Sequence, residues 1–160
     1  MGFIFTKRAG KFDDLEIRHT DGGTEHVRCP KQRIIPHDMV HYAVEVVLTH
    51  QGFLGRVAAG ESANAHMSAQ PVPESVERLV EVIQAELWSG GASNGEVLSL
   101  YELSCAERGH PVASVTTEQV DLIRMEVTDL TARWDAVPVC GSLSLNLTAR
   151  SILPQEMGDA

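Results

Sequence analysis

The chain opens on period-two alternation. Residues 14–20 and 24–30 flank Asp21-Gly22-Gly23. Leu15 and Ile17 alternate with Glu16 and Arg18 in the first arm, and Val27 and Cys29 alternate with His26 and Arg28 in the second. Alternation on both sides of a glycine-rich turn predicts a β-hairpin with one buried face. It also sets His19 and His26 facing each other near the turn, as an exposed cross-strand pair. Residues 3–6 suggest a short additional strand. The pattern then changes. The apolar run 39–48 is too long for a strand and contains no breaker. It follows Pro36, a residue suited to the first turn of a helix. That helix is expected to end near Gly52, and the glycine-punctuated residues 52–60 fit a packed loop or a short second helix.

Pro71 and Pro73 break the chain. Beyond them Val76, Leu79, Val80, Ile83 and Leu87 recur at helical spacing, and Glu74, Glu77 and Glu81 read as a solvated face. Ser93 with Glu96, and Thr116 with Gln119, match capping boxes for two further helices, the first reaching about Arg108. Val120, Ile123, Val127, Leu130 and Trp134 form the buried stripe of the second. The heptad-like spacing of that stripe also keeps a helix-mediated homodimer open. Residues 142–148 alternate Leu143, Leu145 and Leu147 with Ser144 and Asn146, as a strand with one buried face does. A lone strand leaves backbone groups unpaired, and the N-terminal hairpin is the obvious partner. The expectation is a single α+β domain over residues 1–153, a small antiparallel sheet packed with about four helices, and a loose tail at 154–160.

Composition narrows the function classes. The 160 residues are 43% apolar and 22% charged, an ordinary globular mix, with a formal net charge of -9. That charge argues against nucleic acid, which needs a basic stripe to displace phosphate counterions. Lys7-Arg8 and the segment 31–33 are the exceptions to an otherwise scattered set of basic residues. No run approaches the roughly 18 apolar residues of a membrane span. The first residues turn charged too soon for a signal peptide. Cys29, Cys105 and Cys140 are widely spaced with no CxxC, which fits reduced thiols in a cytoplasmic protein. Nucleophile-elbow, phosphate-loop and dinucleotide fingerprints are missing from the sequence.

The candidate chemistry sits in Pro36-His37-Asp38-Met39-Val40-His41-Tyr42-Ala43-Val44-Glu45. At about 100° per residue, His37, Asp38, His41 and Glu45 share one narrow stripe of a helix that is otherwise apolar. A polar stripe on a buried helix must find partners, because an unpaired buried polar group costs about 1–3 kcal/mol. Three readings stay open. His37 and Asp38 can serve the helix start while His41 pairs with Glu45. His37 and His41, one turn apart, can grip a metal ion. The stripe can also line a small-molecule or peptide pocket with Tyr42, Phe53, and Trp88 or Trp134.

His37-Asp38-Met39-Val40-His41 resembles the zincin motif of metallopeptidases, with Asp38 standing where that superfamily has glutamate. The resemblance implies zinc held by His37, His41 and a glutamate about twenty positions on, which is Glu61. His66 and Glu45 are alternative ligands. It also implies Asp38 as the general base that takes a proton from zinc-bound water. Aspartate is one methylene shorter, so a metal site with catalysis lost is as compatible as a hydrolase. The Pro-His-Asp-x-x-His-Tyr segment further resembles a group of small uncharacterised bacterial proteins, a likeness that implies no activity.

Overall fold

A computed structural model describes residues 2–48, 74–110, 112 and 114–147. Three strands come first: β1 (Gly2–Thr6), β2 (Phe12–Arg18) and β3 (Thr24–Pro30). Four helices follow among the described residues: α1 (His37–Leu48), α2 (Glu74–Ser89), α3 (Asn94–Glu107) and α4 (Thr117–Asp135). Strand β4 (Ser142–Asn146) closes the series. The expected end of α1 near Gly52, the segment 52–60 and the tail 154–160 lie outside the described residues.

All strand pairs are antiparallel, in the order β3-β2-β1-β4. The hairpin and the alternation are as the sequence predicts. The last strand, however, pairs with β1 and not with the hairpin: Phe3 lies opposite Leu145 and Phe5 opposite Leu143. Strand β2 is flanked by β3 and β1, and β4 joins at the free edge of β1, which leaves β3 as the opposite edge of the described sheet. The hairpin register sets His26 opposite Glu16, and the His19 Nε2 instead meets Glu25 Oε2 at 2.7 Å. The two histidines therefore do not face each other.

One face of the sheet carries Phe3, Phe5, Leu15, Ile17, Val27, Cys29 and Leu145 into the core. The helices cover it, with α1 packed on α2 and α4, and α3 packed on both α2 and α4. The α4 stripe from Val120 to Trp134 is buried in this core, so that face is occupied within the chain itself. Cys105 is likewise a buried core residue, and all three cysteines are free. No helix among the described residues is long and apolar enough to cross a membrane.

Both capping boxes form. Ser93 Oγ accepts from the Glu96 N–H at 3.2 Å, and Thr116 Oγ1 accepts from the Gln119 N–H at 3.1 Å. The return bonds, from the Ser93 and Thr116 N–H groups to the Glu96 and Gln119 side chains, are also present. Thr116→Ala removes one side of such a box. A loss of about 1 kcal/mol is expected, read as a lower urea midpoint with an unchanged slope.

Candidate metal centre

Helix α1 buries Met39, Val40, Ala43, Val44 and Leu48, and with them the His41 and Glu45 part of its polar stripe. His41 and Glu45 are each only 2% exposed. Helix α2 packs against α1 and brings Glu77 and Gln84, seven residues and so two turns apart, to the histidines. His41 Nε2 lies 2.9 Å from Glu77 Oε2, and His37 Nε2 lies 3.5 Å from Glu77 Oε1. The two Nε2 atoms are 3.1 Å apart. The ligand atoms of His37, His41 and Glu77 all lie within 4.8 Å of one another, so this group can hold a metal ion.

The hydrogen-bond network orients the rings. The Ile35 carbonyl only accepts, so the Gln32 Nε2 group that meets it at 2.9 Å is the donor. The same amide nitrogen donates to Gln84 Oε1 at 3.0 Å. Gln84 Oε1 then accepts from His37 Nδ1 at 2.8 Å. His37 therefore carries a proton on Nδ1, which turns Nε2 inward as the atom that can take a metal ion or a second proton. His41 Nδ1 faces the Glu45 carboxylate at 3.3 Å as a buried ion pair. Metal-binding histidines are commonly held this way, the outer nitrogen donating to a carboxylate or carbonyl. Two Nε2 atoms and a carboxylate thus converge, a set that a metal ion or protons can hold together.

The spacing suits a metal ion. With metal–nitrogen distances of about 2.0–2.1 Å, two ligand nitrogens lie about 3.3 Å apart in a tetrahedral site and about 2.9 Å apart in an octahedral one. The observed 3.1 Å falls between these values. A proton can also occupy the cluster. Burial disfavours charge on His41, but its bonds to Glu45 and Glu77 outweigh this and lift its pKa to about 10. Burial likewise disfavours charge on Glu77, yet bonds from His37 and His41 hold its carboxyl well below the usual range. His37 is raised too, since Glu77 and Gln84 overcome burial and the neighbouring His41.

Of the residues singled out by sequence, His37, His41 and Glu45 are brought together. The expected ligands Glu61 and His66 lie outside the described residues. Asp38, the expected base, accepts from the Cys29 thiol on β3, with Sγ 3.5 Å from Oδ2. Burial, and then Asp38 itself, push that thiol far above its ordinary pKa, so it keeps its proton. Tyr42 donates to the Asn146 carbonyl at 3.0 Å, and Trp88 donates to the Gln32 carbonyl at 2.8 Å.

Glu77 is the correction. Its sequence context reads as a solvated acidic face, whereas its side chain is 19% exposed and bonded to both histidines. A wheel of α2 contains the signal. Glu77 and Gln84 fall within about 60° of Val80 in the apolar stripe, while Glu74 falls about 120° away. Glu81 does stand apart from the cluster, on Arg78 at 2.9 Å.

No family model, curated protein or solved structure matches the chain. The functional argument rests on this geometry.

Proposed function

We propose that this is a zinc-binding protein whose centre is His37 Nε2, His41 Nε2 and the Glu77 carboxylate. The convergence of two histidine Nε2 atoms on one carboxylate carries the reading. Imidazole and carboxylate donors suit zinc, and three protein ligands leave a coordination position for water or substrate. The His37 side chain is 38% exposed, which gives an outside molecule a way to that position. Zinc would supply Lewis acidity there and acidify a bound water. Gln84 and Glu45 would hold the two rings in the binding orientation.

The support does not extend to peptide hydrolysis of the zincin type. That chemistry needs a base at the bound water, and the Asp38 carboxylate receives the Cys29 thiol. The ligand pattern of the resemblance is kept here, with the carboxylate supplied by Glu77.

Elemental analysis of protein purified without a histidine tag tests this. About one zinc per chain is expected, removable by chelator and restorable. Glu77→Ala should weaken zinc binding by at least about 100-fold. Zinc that neither co-purifies nor rebinds with measurable affinity would sink the proposal. Iron in its place would overturn the zinc assignment, because two histidines and one carboxylate also form the facial triad of non-haem iron.

A further inference from the structure

The two basic clusters of this acidic chain meet in the fold. Lys7 follows β1, and Lys31 and Arg33 lie between β3 and α1; all three line a cavity of about 290 Å³. Ile34, Pro36 and Trp134 supply apolar walls. Lys7 Nζ donates to the Trp134 carbonyl at 2.7 Å and stands 4.8 Å from the centre of its ring. Neither Lys7 nor Arg33 makes an ion pair with a carboxylate among the described residues. Lys31 lies 3.6 Å from Asp13, the one acid in the lining. Asp13 is buried and also accepts from the Arg8 N–H at 2.8 Å. Lys31 also donates to the Arg8 carbonyl, so three basic residues share the lining with one carboxylate that is already engaged.

Arg33 adds a second observation. Its φ is 68°, a left-handed conformation that costs a non-glycine residue about 1–2 kcal/mol. Strain of this kind persists where the surrounding structure needs the residue held in place, and it gathers at ligand sites. Here it holds Arg33, whose guanidinium fork matches a carboxylate, in the lining of a cavity with excess positive charge.

We propose that this cavity binds a small organic carboxylate with a flat apolar body. The carboxylate meets Arg33 and Lys7, and the body lies against Trp134, Ile34 and Pro36. The volume lies at the lower end of small-molecule sites, which sets the ligand's size class. None of the proposed metal ligands lines the cavity.

An amide NMR titration of chelator-treated protein tests it, with benzoate as the probe and benzamide as its neutral counterpart. Benzoate should shift the Lys7, Arg33 and Trp134 indole signals saturably below about 10 mM, while the amides of the exposed Leu100 and Leu103 on α3 serve as the reference. Benzamide should bind about tenfold more weakly. Arg33→Gln alters an exposed side chain with no ion pair and should weaken benzoate at least about fivefold, as should Lys7→Met. Unsaturated or absent shifts, equal binding of benzamide, or wild-type affinity in Arg33→Gln would each overturn the proposal.

Discussion

His41→Ala is expected to abolish zinc binding and to destabilise the protein at the same time. Two separate causes operate. The variant removes the ligand nitrogen that lies 2.9 Å from Glu77 and 3.1 Å from His37 Nε2. Glu45, the other ligand-type side chain beside His41 on α1, stands on the Nδ1 side of the ring and not at the Nε2 cluster. The variant also takes away the imidazole that faces the buried Glu45 carboxylate at 3.3 Å. Removing one partner of a buried charged pair costs about 3–5 kcal/mol, because the other charge stays in a poorly solvated place. Zinc titration followed by urea unfolding in chelator separates the two effects. His37→Ala is the companion variant. That side chain is 38% exposed, so its loss should abolish zinc binding with a much smaller effect on stability. A His41→Ala protein that still held one zinc per chain would remove the site assignment.

Metal-free stability and zinc affinity are expected to move in opposite directions with pH. Glu77 is depressed below its ordinary range, so its contribution is present above an unfolded pKa of about 4.3 and fades as the solution is acidified. His41 is raised to about 10, so its contribution is complete below the ordinary histidine value and is lost as pH climbs toward 10. Metal-free protein should therefore be most stable near pH 5–6.5, the window between the two unfolded pKa values. Above it, stability should fall by up to about 1.4 kcal/mol per pH unit for one proton. Zinc requires neutral rings, so loading expels protons and affinity should rise over the same range. Urea midpoints in chelator and zinc titrations between about pH 6 and 9 give the two slopes. Parallel slopes would mean that proton and metal do not compete for this cluster.

Much of the architecture is legible along the chain because it depends on near neighbours. The alternation about Asp21-Gly22-Gly23 predicts β2 and β3, and both capping boxes mark helix starts that the structure reproduces. The polar stripe of α1 is legible too, since helical geometry alone sets His37, His41 and Glu45 on one face. The third ligand is harder to read. Sequence spacing points to Glu61, a residue outside those described, while the carboxylate found at the histidines is Glu77. Glu77 sits beside the apolar stripe of α2, where helical periodicity alone cannot separate a solvated acid from one held at a helix interface.

By itself, then, the sequence determines the elements, their caps, the buried faces and the pair of histidines, all consequences of short-range periodicity and turn chemistry. The tertiary structure decides what those histidines meet. The packing of α1 on α2 chooses Glu77, and the path from the Ile35 carbonyl through Gln32 and Gln84 orients the His37 ring. The pairing of β4 with β1, and the meeting of Lys7 with Lys31 and Arg33, are settled at the same level. These contacts join residues far apart in the chain. Their selection rests on which buried polar groups can satisfy one another once the core has closed, and local pattern carries no record of that.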